Sequence, residues 1–449
     1  MQNDKYVITT QTIQEPPKGI LKSLKFLGPG FILSASIVGS GELIATTALG
    51  AKAGFAAFWV IIVSCLIKVT IQLEFGKHTI QTGETIMQSF RKLPGTKKSG
   101  GKWSVILVFI LTLLKNIQLG GILGGSALVL KMLFPSVPLE LHVVFSAFIA
   151  AVFIYKGWYS VVEKLSLIMT LAFTILTLTC LWYVRYTPYD FTFSEVIRGM
   201  RFDLHGQMLV IALGAFGITG VASDEILAYT YWCLEKGYAA YTGPRENTPE
   251  WINRAKGWTK VMYLDAIVAM IIYTLVTAAF YLLGASILHK QGLVPTDTAM
   301  VKTLASIYTS ALGSNVEYIF LTGAFFVLFS SVFATVAYWS RLFTDIAGQF
   351  RWIDFYNPVQ RGKSIKFVTI VFPIIWIFTF LFLKMPVMMI ISGGIVGAVL
   401  LILVALAGLY FRYKRQQLIP SSGFYDLALW ISVISVMLVA MYSLIQVFK

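Results

Sequence analysis

Carboxylates occupy matching positions in two ten-residue segments of the chain. Residues 38–47 read VGSGELIATT and residues 221–230 read VASDEILAYT, so five of the ten positions are identical. The first segment contains Glu42, and the second contains Asp224 and Glu225. Carboxylate oxygens are ligands that hard divalent cations prefer. These three residues are therefore candidates for binding such a cation.

Small residues precede the carboxylates in both segments. Gly39 and Ser40 stand before Glu42, and Ala222 and Ser223 stand before the acidic pair. Glycine lets a backbone leave helical geometry. An interrupted helix exposes the last carbonyls of one half and the first amides of the next, and the carbonyl end attracts cations. We therefore predict that both segments are interrupted helices, with Ser40 and Ser223 at the N-cap positions.

The two interruptions predict one binding site near the middle of a membrane. Its members are the three carboxylates, as metal ligands, and the four small residues: Glu42, Asp224, Glu225, Gly39, Ser40, Ala222 and Ser223. Three carboxylates repel one another unless protons or a bound cation neutralise them. The alternative interpretation is that each glutamate only stabilises the amino end of its own half-helix.

Neither segment contains a soft metal ligand. Residues 38–47 and 221–230 have no Cys, Met or His, the side chains that favour Fe²⁺, Zn²⁺ or copper. Oxygen ligands favour Mg²⁺, Mn²⁺ or Ca²⁺ instead. The cation is predicted to be a substrate, and no cofactor is predicted.

The elements that position these residues must be membrane helices. Hydrophobic residues make up 57% of the 449 residues and the mean hydropathy is +0.76, too apolar for a water-soluble surface. We predict an all-α polytopic membrane protein, because helices satisfy their own backbone groups in hydrocarbon. Eleven apolar runs are the predicted spans: 27–49, 54–75, 104–131, 141–155, 162–184, 207–232, 260–287, 316–344, 365–383, 386–411 and 424–447.

The matching segments lie in the first and sixth runs, which are an odd number of spans apart. They must therefore cross the membrane with opposite polarity, which is typical of an inverted repeat. We predict one transporter domain over 1–449, with a first repeat at 27–184, an inverted second repeat at 207–411 and an added helix at 424–447.

The distribution of positive charge predicts orientation and partners. The net charge is +15, and 25 of the 36 Lys and Arg residues fall in loops on one side if the amino terminus is cytoplasmic. This pattern favours a multi-pass protein of a bacterial cytoplasmic membrane. Its expected partners are the lipid bilayer and a small cation or solute, not nucleic acid. The absence of a P-loop, a G-x-S-x-G elbow or an H-E-x-x-H motif argues against an enzyme.

Several short motifs resemble the Nramp family of divalent-metal transporters. Residues 27–30 read LGPG, and residues 50–55 read GAKAGF before Trp59. Further similarity lies in 82–83, 155–164 and 330–331. The resemblance implies a LeuT-type fold of two inverted five-helix repeats, with the first and sixth helices unwound at a central site.

The chain departs from the family at the positions that bind metal. The family's Asp-Pro-Gly-Asn motif falls on residues 39–42, so its metal-binding Asp is Gly39 here. Its Met-Pro-His motif falls on residues 222–224, so its Met is Ala222. The chain is similar to the Nramp-related magnesium transporters in lacking this methionine.

Other departures concern proton passage. The acidic positions that the family links to protons fall on Leu119 and Ile122, and its second helix 6 histidine falls on Tyr229. Our hypothesis is secondary or facilitated transport of Mg²⁺ or Mn²⁺ without Nramp-type proton coupling. The alternative is a LeuT-fold transporter of a small organic solute, such as an amino acid or amine, because both the family Asp and Met are missing.

Overall fold

The computed structural model describes residues 4–95, 100–156, 159–201, 207–415 and 417–447. Within these ranges it excludes the side chains of residues 40, 159–163, 165–167, 169, 207–211, 213, 440 and 442–447. The regular elements of the described chain are helices, which confirms the predicted all-α class.

The α-helices are numbered here in chain order. They are α1 Ile20–Ser23, α2 Pro29–Ile37, α3 Thr47–Ala53, α4 Phe58–Thr82, α5 Ile86–Arg91, α6 Lys102–Leu114, α7 Asn116–Leu133, α8 Leu139–Tyr155, α9 Tyr159–Tyr183, α10 Phe193–Arg198, α11 Gln207–Ile218, α12 Ser223–Lys236, α13 Tyr238–Thr242, α14 Pro249–Leu283, α15 His289–Gln291, α16 Met300–Leu312, α17 Glu317–Gln349, α18 Pro358–Leu383, α19 Pro386–Lys414 and α20 Gly423–Val447. Two π-helical segments occur at Val38–Thr46 and Gly284–Leu288. Short 3₁₀ turns occur at Thr10–Thr12, Leu24–Phe26, Gly54–Ala57, Val184–Tyr186, Asp297–Ala299 and Ser314–Val316.

Each predicted apolar run coincides with a helix or an interrupted helix. In the described chain, six helical stretches are long and apolar enough to cross a membrane: Pro29–Thr82, Lys102–Leu133, Pro249–Gln291, Ser314–Gln349, Pro358–Leu383 and Pro386–Lys414. Leu139–Tyr155 and Gly423–Val439 are shorter apolar helices. The count of eleven crossings and the division into repeats stay predictions.

The first matching segment keeps its helical winding, so the predicted interruption at Ser40 is wrong. Helix α2 passes through the π-helical segment Val38–Thr46 directly into α3. A π-helix widens the turn without unwinding it. Ser40 is consequently not an N-cap.

Close packing explains the glycine at the start of this segment. A β-carbon on Gly39 would overlap the backbone oxygen of Val327 on α17 and crowd the hydroxyl of Ser331. Gly39 therefore allows α17 to approach the π-helical segment, rather than allowing the backbone to unwind.

The second matching segment is interrupted, as predicted. Helix α11 ends at Ile218, and α12 begins at Ser223. Gly220 has a φ of +67° in the left-handed region that glycine adopts readily. Ala222 is extended, with φ −72° and ψ 162°, and is the N-cap of α12. The predicted N-cap role of Ser223 is therefore wrong by one residue.

The two segments lie among the longest helices of the protein. The π-helical segment Val38–Thr46 packs against α17, α14 and α11, and α12 packs against α4, α19 and α2. Helix α7 packs against α17, α18 and α19. The matching segments are thus surrounded by protein rather than by lipid.

We predict that Gly39→Ala lowers stability by about 1–3 kcal/mol, because the added methyl group overpacks the contact with α17. Thermal unfolding in detergent would measure the change. The matched control is Gly362→Ala on α18, where an added β-carbon has nothing within 4 Å. Equal melting temperatures for the two variants would contradict the packing role of Gly39.

Candidate functional site

All three predicted carboxylates lie in the protein interior. The exposed fraction is 1% for Glu42, 5% for Asp224 and 4% for Glu225. Glu42 projects from the π-helical segment, and the other two occupy the first turn of α12. The site is therefore closed to solvent in this conformation.

Glu42 joins the first segment to the interruption of the second. Its Oε1 accepts a hydrogen bond of 2.6 Å from the backbone N–H of Gly220. Its Oε2 is buried and has no hydrogen-bond partner in the described part of the chain. The hydroxyl of Thr277 on α14 lies beside this carboxylate.

Glu225 caps its own helix. Its Oε2 accepts a 2.9 Å hydrogen bond from the N–H of Ala222, and its Oε1 accepts a 3.1 Å bond from the hydroxyl of Ser36 on α2. Glu225 thus makes the contact that the capping interpretation predicts. Glu42 does not, because it accepts from an amide of the other segment.

Asp224 points away from these two glutamates, toward α7 and α17. Its Oδ1 forms a buried ion pair with Lys115, whose side chain is 1% exposed. Its Oδ2 accepts a 2.8 Å hydrogen bond from the hydroxyl of Tyr338, which in turn accepts one of 2.7 Å from Trp339 Nε1. Asp224 is consequently neutralised by a resident cation.

Lys115 lies at a junction that the sequence did not predict. The third apolar run consists of α6 and α7, and Lys115 is the residue between them. Lys115 pairs with Asp224 and not with Glu74 of α4, which accepts hydrogen bonds from Tyr425 and Gln417.

Lys68 is a second buried lysine near the interruption. It is fully buried on α4, and its ammonium donates hydrogen bonds to the backbone oxygens of Phe216 and Thr219. The ammonium also lies 4.6 Å from the centre of the Phe216 ring, within the range of a cation–π contact. The hydroxyl of Ser64 shares both backbone oxygens, at 3.1 and 2.8 Å.

The predicted site residues therefore separate into two groups. Glu42, Glu225 and Ala222 meet at the interruption, whereas Asp224 turns to Lys115. Ser223 donates a 2.9 Å hydrogen bond to the backbone oxygen of Gly397 on α19. The side chain of Ser40 lies outside the described residues.

No group of three or more His, Cys, Asp or Glu side chains within the described residues is spaced to hold a metal ion. The structure therefore does not assemble the predicted three-carboxylate centre in this conformation. The polar residues around the candidate site that the prediction omitted are Lys68, Lys115, Tyr338 and Thr277. A lysine within an apolar run was the available signal for the first two, because an intramembrane charge needs a partner.

A comparison with models of protein families shows to which family the chain belongs. The model of the family described as natural resistance-associated macrophage protein-like, Nramp, matches residues 30–446. The chain belongs to the Nramp family.

Individual Nramp relatives are distant in sequence. A divalent metal cation transporter, MntH, from Brucella suis is 24% identical over 279 residues, which cover 60% of this chain and 56% of that relative. The aligned part therefore spans little more than half of that protein. That relative is named as a transporter and not as an enzyme.

Solved structures confirm the LeuT-type fold. The manganese transporter of Eremococcus coleocola superposes with a TM-score of 0.65 at 14% identity and covers 97% of this chain and 90% of its own. A nucleobase-cation-symport-1 family transporter, MHP1, superposes with a TM-score of 0.62 at 14% identity over 93% and 90% of the two chains. This Nramp member is thus an integral multi-pass membrane protein, and its cytoplasmic amino terminus stays a prediction.

We predict that Lys115→Met destabilises the protein by about 3–5 kcal/mol, because Asp224 is left as a buried charge without its partner. The double variant Lys115→Met/Asp224→Asn should recover most of that loss, since no uncompensated charge remains. Denaturation in detergent micelles would measure both. The control is Lys92→Met, which removes the 47% exposed member of the pair with Glu84 and should change stability by less than about 1 kcal/mol. A double variant no more stable than Lys115→Met would contradict the assignment.

Proposed function

We propose that this protein carries a hard divalent cation, Mg²⁺ or Mn²⁺, across the membrane through the site around Glu42. The observation that carries the proposal is the unpartnered Oε2 of Glu42. A buried acidic oxygen without a hydrogen bond is destabilising unless something else neutralises it. A cation arriving at the interruption of the second segment would satisfy that oxygen.

The groups nearest to Oε2 are compatible with a hard cation. The hydroxyl of Thr277 lies beside it, and the carboxylate of Glu225 lies within electrostatic reach. Hydroxyl, carboxylate and backbone oxygens are the ligands that Mg²⁺ and Mn²⁺ prefer. Glu42 and Glu225 are the proposed first ligands, and Asp224 becomes a ligand only when it leaves Lys115.

The charge around the interruption favours a cationic cargo. Three acidic side chains face two basic ones, so the five groups leave one excess negative charge when all are ionised. An anionic solute would add to that excess. Relatives named as divalent metal cation transporters support the same class of cargo.

The proposed transport does not use Nramp-type proton coupling. The positions that align with the family's proton-linked acids are Leu119 and Ile122, which are buried apolar side chains of α7. Neither can bind a proton. The driving force is then the gradient of the cation itself and the membrane potential.

The thiol of Cys65 lies near the interruption and allows a test of whether the transported ion is bound by oxygen or by sulfur. A β-carbon on Gly220 would lie 3.3 Å from the sulfur of Cys65, a proximity that the two ten-residue segments could not reveal. Because the proposal assigns the ion to oxygen ligands, Cys65→Ser should leave Mn²⁺ uptake unchanged. Loss of Mn²⁺ uptake in this variant would instead make the sulfur a ligand.

We predict that Glu42→Gln lowers Mn²⁺ or Mg²⁺ uptake into proteoliposomes by about tenfold or more, because the ion loses the buried carboxylate oxygen proposed to bind it. The matched control is Glu140→Gln on α8, a half-exposed acid 3.5 Å from Lys384, which should transport at the wild-type rate. Uptake by Glu42→Gln at the wild-type rate would remove Glu42 from the mechanism. Uptake of an amino acid or amine but of no divalent ion would favour the organic-solute alternative.

We also predict that the initial rate of Mn²⁺ uptake is the same with and without an inward proton gradient at a fixed membrane potential. A dye that reports internal pH should show no acidification coupled to uptake. Acidification that depends on both Mn²⁺ and functional protein would overturn the absence of proton coupling.

A further inference from the structure

The carbonyl end of α11 is an open binding position created by the helix interruption. In a continuous helix, the N–H of Gly220 would donate to the backbone oxygen of Phe216, four residues earlier. Here the Gly220 N–H donates to Glu42 instead. The N–H of Thr219 still donates to the backbone oxygen of Ala215, so the regular helical hydrogen bonding stops at Gly220. The backbone oxygen of Phe216 is therefore released from the helix.

A lysine occupies this position. The ammonium of Lys68 donates to the oxygens of Phe216 and Thr219, the second at 2.7 Å. The hydroxyl of Ser64, one helical turn earlier on α4, donates to the same two oxygens. The ammonium is fully buried and faces the Phe216 ring. Backbone oxygens, a hydroxyl and an aromatic face together form a cation-binding environment.

The arrangement has the chemistry of a monovalent cation site. Carbonyl oxygens at the end of a half-helix carry a partial negative charge and bind small cations in transporters with interrupted helices. An ammonium is a monovalent cation, and here it is tethered to the protein. The tether removes the entropy loss that a free ion would suffer on binding.

We propose that Lys68 is a resident cation, which fills a monovalent cation site at the carbonyl end of α11 and so makes the interruption independent of any external monovalent ion. Lys68 is a positioning residue, because it holds the backbone to which Glu42 is bound. Glu42 satisfies the released amide, and Lys68 satisfies the released carbonyls. This inference does not depend on the identity of the transported solute.

The decisive variant is Lys68→Ala, which leaves both backbone oxygens without the ammonium. Its melting temperature in detergent should fall by several degrees. Ammonium or methylammonium chloride should restore about half of the loss or more, because a free cation that binds only the folded state stabilises it. Tetramethylammonium chloride at the same ionic strength should restore nothing, since that ion is too large to reach the two oxygens.

The wild type and Ser64→Ala are the matched controls. Both keep the ammonium of Lys68, so neither should be stabilised by ammonium more than by tetramethylammonium. A role of Lys68 in packing alone predicts no difference between the two salts for Lys68→Ala. That result would overturn the proposal.

A second variant covers the case in which Lys68→Ala does not fold. Lys68→Gln keeps a long side chain and an N–H donor but removes the charge. Its melting temperature in detergent should fall, because the oxygens of Phe216 and Thr219 lose the ammonium. A wild-type melting temperature for Lys68→Gln would contradict the need for a resident charge.

Discussion

The helix interruption after Ile218 is the constraint on which the interior of this protein depends. Backbone amides and carbonyls that leave a helix inside an apolar environment must find other partners. The carboxylate of Glu42 takes the amide of Gly220, and the ammonium of Lys68 takes the carbonyl of Phe216. Glu42 and Lys68, which have opposite charges and come from two other helical segments, therefore satisfy the backbone groups that the interruption leaves unpaired. The charges satisfy the backbone and, in part, each other.

The same principle accounts for Asp224 and Lys115. Each would be strongly destabilising alone, and the pair with Tyr338 satisfies both oxygens of the carboxylate. The region around the interruption therefore combines three buried acidic side chains with two buried lysines, Lys68 and Lys115.

The helices and the second interruption could be predicted from the sequence. Long apolar runs have no alternative to helices in lipid, and Gly220 supplies a conformation that other residues adopt with difficulty. The first interruption was predicted wrongly because a glycine has two uses that a sequence does not distinguish. Gly39 serves close contact with Val327 of α17, so its segment widens to a π-helix without unwinding.

The sequence by itself determined the helical membrane class, the family and the two acidic segments, because hydrophobicity and short-range motifs are properties of neighbouring residues. Only the tertiary structure decided which charges meet. Lys68 is 148 residues from Phe216, and Lys115 is 109 residues from Asp224. Electrostatic pairing depends on distance in space, which local sequence does not encode. The partners of Glu42, Asp224 and Glu225 therefore became known only when the helices were packed together.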